Sequence, residues 1–284
     1  WNLDAVETVN LMTFYVLTNG NATLRIDTRT QLGVVLRDDG DSHTLRWIGE
    51  NVQVSDVSGS DTFSIPAADW HRIRIGSSDG DDHLTIDLAG AVLLPVGGID
   101  VIDLSGADSD TLEIQNHPSG GMYATAHWTL TGQQTAVSHR DGSTITISGI
   151  EQVVDFSSAS VRGIAVDATV TDAITLTADT AATVGRLNVS MGSIDFEIAF
   201  PTEVLALMGG GGDDVITVSE PDATFTATLT VDGRGGHDTI DTTAVWQDIV
   251  LIGGEGDDVL TAGDGNDQLI GGDGNDVLTA GDGN

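Results

Sequence analysis

GGEGDDVLTAGDGNDQLIGGDGNDVLTAGDGN, residues 253–284, writes one nine-residue phrase three times and begins a fourth. Asp258, Asp267 and Asp276 fall nine residues apart, and so do Leu260, Leu269 and Leu278. A fixed short period signals stacked coils. A flexible Gly-Asp linker gives no reason for a leucine in every ninth place. In each phrase the glycines permit a tight turn whose carbonyls gather inward over six positions. The last three positions make a short strand with its apolar residue facing a core. Two phrases build one flattened coil of eighteen residues, so Asp258 and Asp276 come into register on successive coils.

Strands stack ~4.8 Å apart, and two carboxylates at that spacing repel by roughly 3 kcal/mol at an effective dielectric of 20. A cation must sit between them. Calcium takes six to eight oxygen ligands in flexible geometry, whereas magnesium demands a stricter octahedron, so calcium is the expected ion.

The phrase recurs upstream in looser form. GGGGDDVIT (209–217) fits it fully, and GRGGHDTID (233–241) fits with Arg234 in the second Gly place. SSDGDDHLT (77–85), PVGGIDVID (95–103) and SGADSDTLE (105–113) keep the Asp-x-apolar centre. Asp238 lies 20 residues before Asp258, and Asp214 lies 24 before Asp238, so those coils carry insertions and are expected to hold incomplete sites. At Asp100 and Asp110 the turn glycines thin out, and a turn Asp capping its own backbone is expected.

GGEGDDVLT, AGDGNDQLI and GGDGNDVLT resemble the RTX (repeats-in-toxin) calcium-binding nonapeptide family, with Ala262 and Ala280 departing in the first Gly position. The resemblance implies a parallel β-roll. It also implies that the carboxylates of Asp258, Asp267 and Asp276 bind calcium, completed by carbonyls around Gly254, Gly256, Gly263, Gly265, Gly272 and Gly274. Asp238 and Asp214 are further metal candidates.

Between the phrases, STITISGI (143–150), AITLTAD (173–179) and SIDFEIAF (193–200) alternate apolar and polar residues, which argues for half-buried strands. No stretch carries helical periodicity. The expected fold is all-β, a parallel β-solenoid (β-helix) ending in a calcium-binding RTX β-roll. Three stretches are expected: degenerate solenoid coils over 1–116, longer coils or an inserted β-sandwich over 117–205, and the calcium-binding roll over 206–284.

The 284 residues include 44 acidic and 10 basic ones for a net charge of −34; every basic residue is Arg and none is Lys. Such a field repels nucleic acid and anionic membranes. Cys is absent, so neither disulfides nor thiolate metal sites arise, and no apolar run reaches a membrane span. Trp1 in place of Met and the stop one residue short of the next Asp read as an excerpt of a longer chain.

GSSDG (76–80) spells a nucleophile elbow around Ser78, but a strand follows it instead of a helix, so no catalytic serine is expected. The seven His form no zinc motif. Arg72 and Arg74 share one strand face and are expected to offset nearby Asp. Only Arg234 is basic after Arg186, which argues against a basic catalytic groove in the second half.

The expected function is therefore non-enzymatic: a calcium-stiffened stalk, adhesin, surface-layer or fibre segment of a secreted or cell-surface bacterial protein. Its expected partners are calcium and either further copies of itself or cell-surface polysaccharide. The alternative is an accessory RTX or β-helix region of a secreted enzyme such as a polysaccharide epimerase or lyase.

Overall fold

The computed structural model describes residues 2–9, 12–19, 22–27, 31–36, 42–48, 51–56, 62–66, 72–77, 80–89, 95, 97–103, 108–116, 121–132, 134–166, 172–178, 185–219, 221 and 223–283. These residues form strands and turns without a helix. None provides a helix long and apolar enough to cross a membrane. The chain divides into two units, residues 1–121 with 142–157, and residues 122–141 with 158–284. This division differs from the three stretches expected from the sequence.

In the first unit the chain alternates between two sheets. Arg72–Ser77, Ile99–Asp103 and Ser143–Ser148 pair in parallel in one sheet, and His83–Asp87, Thr111–Gln115 and Gln152–Asp155 in the other. Strict alternation turns every second side chain inward, so register stacks like on like. Ile73, Ile99 and Ile145 form one buried row, and Leu84, Leu112 and Val153 another. Antiparallel strands precede these, including the meander from Asn2–Val9 to Gln31–Leu36.

The second unit repeats the plan. Val204–Gly211, Thr228–Gly235, Ile249–Glu255 and Gln268–Asp273 run parallel in its first sheet. Val215–Val218, Thr239–Thr242, Val259–Ala262 and Val277–Thr279 do so in its second. The partners Val250↔Gln268 and Val259↔Val277 are each 18 residues apart, the coil length read from the tail. Leu207, Val231 and Leu251 stack in one buried row, and Ile216, Ile240 and Leu260 in the facing one. Each fully buried aliphatic contributes about 1.5–3 kcal/mol.

The sheets are mixed, which corrects the expectation of a purely parallel stack. Arg186–Met191 pairs antiparallel with both Ala173–Ala178 and Ile194–Ala199, and Tyr123–Gly132 pairs antiparallel with Thr135–Arg140. The cause is local: Met191 and Ile194 face each other across a two-residue turn in which Gly192 adopts φ 58°, a hairpin reversal. These hairpins extend the unit's own sheets, through Tyr123–Gly132 to Ala159–Val166 and through Ala173–Ala178 to Val215–Val218.

Candidate metal centre

In the second unit, the crossings from the first sheet to the second are 212–214, 236–238, 256–258 and 274–276, all of one length. Each ends in an aspartate: Asp214, Asp238, Asp258 and Asp276. The return crossings, 219–227, 243–248 and 263–267, vary in length. The insertions behind the spacings of 24 and 20 therefore lie at the opposite edge, and the aspartates stay in register. The incomplete coils expected at Asp214 and Asp238 keep a turn of the same length as that at Asp258.

Backbone amides join these side chains into a ladder. The N–H of Asp172 donates to Asp214 Oδ1 at 2.8 Å, that of Asp214 to Asp238 Oδ1 at 2.8 Å, that of Asp238 to Asp258 Oδ1 at 2.8 Å, and that of Asp258 to Asp276 Oδ1 at 3.0 Å. The preceding residue of each turn builds a second ladder of opposite sense. The N–H of His237 donates to Asp213 Oδ1, that of Asp257 to His237 Nδ1 and that of Asn275 to Asp257 Oδ1, each at 2.8 Å.

One carboxylate oxygen per ladder aspartate is thus engaged. The other, Oδ2 of Asp214, Asp238 and Asp258, is buried without a hydrogen-bond partner, in residues only 1% exposed. Such an atom carries a desolvation cost unless another group satisfies it. Glycine makes the room. A Cβ at Gly209 would lie 2.6 Å from Asp214 Oδ2 and 2.8 Å from the Gly233 carbonyl oxygen. The same pair of oxygens, from Asp238 with Gly253 and from Asp258 with Gly271, closes on Gly233 and Gly253. Buried carboxylate and carbonyl oxygens converge repeatedly, with no nitrogen or sulfur donor among them.

Burial pushes the Asp214 pKa up to about 6; the Asp172 N–H opposes this, and the charges of Asp238, Asp172 and Asp213 add to it. Burial also raises Asp238, against the Asp214 N–H and with the help of Asp258, Asp213 and Asp232. The carboxylates resist charge in one another's company, and a hard cation relieves that strain. An all-oxygen donor set suits calcium.

The predicted residues divide between two edges. Asp258 and Asp276 share one edge with Gly254, Gly256, Gly272 and Gly274, which adopt φ of 122°, 131°, 113° and 139°. The carbonyl oxygens of Gly254 and Gly256 abut Gly272 and Gly274 of the following coil, where a side chain would collide. Asp267 lies at the opposite edge with Gly263 and Gly265; its Oδ1 accepts the Ile249 N–H at 3.1 Å, and burial raises its pKa.

The first unit corrects the reading of Asp100 and Asp110 as self-capping turns. Asp110 Oδ1 accepts the N–H of Asp82 at 2.9 Å, and the Asp110 N–H donates to Glu151 Oε2 at 2.9 Å, a ladder between coils. Asp100 meets Arg72 Nη1 at 3.0 Å and Arg74 Nε at 3.1 Å, so this arginine pair does offset a nearby Asp. Asp103, Asp108 and Asp110 bring carboxylate oxygens within 4.8 Å of one another. Sequence reading missed Asp172, Glu151, Asp103 and Asp108; the signal at Asp172 and Glu151 is an acid placed immediately before an alternating strand. It also missed that His127, His139 and Arg234 line one pocket. Ser78 lies outside the described residues.

No curated protein and no solved structure matches the chain. Residues 252–284 match the RTX calcium-binding nonapeptide repeat in four copies, and such repeats bind calcium. With the Asp258 carboxylate and the Gly271 carbonyl closing on Gly253, residues 252–284 are a run of RTX nonapeptide repeats and the chain is a calcium-binding repeat protein.

Proposed function

We propose that residues 206–284 form a parallel β-roll that completes its fold on binding calcium, and that the chain is a structural segment of a secreted or cell-surface bacterial protein. The observation that carries this reading is the row of buried, unpartnered Oδ2 atoms on Asp214, Asp238 and Asp258, each beside a glycine carbonyl of the next coil. Asp214, Asp238, Asp258 and Asp276 hold ions along one edge, and Asp267 along the other. Calcium supplies the positive charge that lets these carboxylates ionise together. Its binding energy then becomes folding energy, so the segment stays open where calcium is scarce and sets where it is abundant. That suits an export route and a stalk, adhesin, surface-layer or fibre role. The ladder carboxylates are committed to neighbouring amides, which favours a structural use over catalysis.

Calorimetric calcium titration of the full chain tests this. Asp238→Asn, outside the matched repeat, should remove at least one ion from the stoichiometry, and chelation should abolish most β signal from the tail in circular dichroism. Unchanged stoichiometry in Asp238→Asn, with a chelator-insensitive spectrum, would sink the proposal.

A further inference from the structure

Gly210, Arg234, Gly254 and Gly272 occupy one register row across four successive parallel strands. The three glycines adopt φ of 117°, 122° and 113°, and Arg234 is held at φ 75°, left-handed backbone that a long side chain rarely adopts. Glycine would serve the turn with less strain, and an outlier of this kind points to a use for the side chain. The guanidinium extends along the outer face of the sheet and donates from Nη2 to Met208 Sδ of the neighbouring strand.

Arg234 there borders a pocket of about 530 Å³ shared with His127, Thr129, Thr131, His139 and Met208. The pocket exists because Ala159–Val166, the strand next to Tyr123–Gly132, presents small residues outward. Gly163 stands opposite His127 and Ala165 opposite Thr129, and a Cβ at Gly163 would strike the His127 ring. His139 faces His127 directly across the antiparallel pair. Among the described residues no acidic side chain lines the pocket, in a chain with 44 acids; the nearby Asp232 carboxylate accepts the Arg234 N–H at 3.1 Å. Burial, then His139 and Arg162, lower the His127 pKa, so its imidazole is neutral near pH 7 and serves as a hydrogen-bonding group. The positive charge comes from Arg234.

We propose that this pocket binds a carboxylate-bearing sugar, with Arg234 gripping the carboxylate and His127, His139 and Thr129 bonding ring hydroxyls. A guanidinium fork matches a planar carboxylate with two parallel hydrogen bonds. The volume far exceeds a bare anion and falls in the range of small-molecule sites. Met208 and Ala165 offer apolar surface to ring C–H groups. Two imidazoles without a carboxylate are too few ligands for a transition metal.

The test is titration of the full, calcium-saturated chain with glucuronate, glucose and acetate, read from the histidine ring signals by NMR. Glucuronate should shift the rings of His127 and His139 saturably, at least about tenfold tighter than glucose or acetate. Arg234→Gly restores the glycine of the phrase, so it should melt no lower than the parent while binding glucuronate about 10- to 100-fold more weakly. His139→Ala, on the exposed rim, should weaken binding as well. Equal affinity for glucose would remove the carboxylate from the account, and equal affinity for acetate would remove the sugar. Undiminished binding in Arg234→Gly would overturn the assignment outright.

Discussion

Both units hang acids on the same backbone device, yet they neutralise them differently. In the first, Asp82, Asp110 and Glu151 precede strands of one sheet and link through amides at 2.9 Å; in the second, Asp172, Asp214, Asp238, Asp258 and Asp276 do so at 2.8–3.0 Å. The first unit balances charge at Asp100 with its own cations, Arg72 at 3.0 Å and Arg74 at 3.1 Å. Runs such as 209–212 and 253–254 in the second unit are pure glycine, and they bring carbonyl oxygens against the carboxylates. Removing side chains from a turn thus brings a carbonyl oxygen against an amide-capping acid, the arrangement on which the proposed cation sites rest.

The comparison breaks first at the ladder. Asp258→Ala strips the acceptor from the buried Asp238 N–H and an oxygen from the site, so it should cost about 2–4 kcal/mol in calcium and much less without it. Asp110→Ala should cost about 1–3 kcal/mol whether or not calcium is present. Denaturant unfolding in both conditions separates the two.

Gly253→Ala comes next. Its Cβ would collide with Asp258 and the Gly271 carbonyl, so about 2–3 kcal/mol should be lost along with calcium affinity. Gly142→Ala, with φ 90° and open space around it, should cost only about 1 kcal/mol. Thermal melts with and without calcium rank them.

Acidity should act with opposite signs in the calcium-free and calcium-loaded chains. Without calcium, Asp214 holds its proton up to about pH 6 in the folded state against an ordinary 3.8. Its contribution to stability is therefore full below about 3.8 and is lost as pH rises through about 6. The calcium-free second unit should resist denaturant better at pH 5 than at pH 7. With calcium the order should invert, because protons compete with the ion. Denaturant midpoints at the two pH values decide it.

The smallest effect belongs to the first unit's ion pairs. Asp100→Asn frees Arg72 and Arg74 into solvent they already partly occupy, so less than about 1 kcal/mol should be lost, and less still at high salt. A loss of several kcal/mol would mean that arginine balance is a main support of the first unit.

Much of this was legible in residues 253–284. The nine-residue period dictates the 18-residue coil, and the register pairs Val259 with Val277 accordingly. The spacings of 20 and 24 announced insertions but not their edge, since period alone does not say which turn absorbs them. Asp172 was hidden because Arg186–Met191 and Ile194–Ala199 intervene before Asp214. Alternation marks a half-buried strand without stating parallel or antiparallel pairing, so the hairpins went unread. Arg234 was visible as a break in the phrase, while its convergence with His127 and His139 depends on five strands lying in register.

Hydrogen exchange, followed residue by residue as calcium is chelated from the full chain, tests the central claim most directly. Amides of Asp214, Asp238 and Asp258 should lose protection by orders of magnitude while those of Asp82 and Asp110 keep theirs. Loss of protection in both ladders together, or in neither, would contradict it.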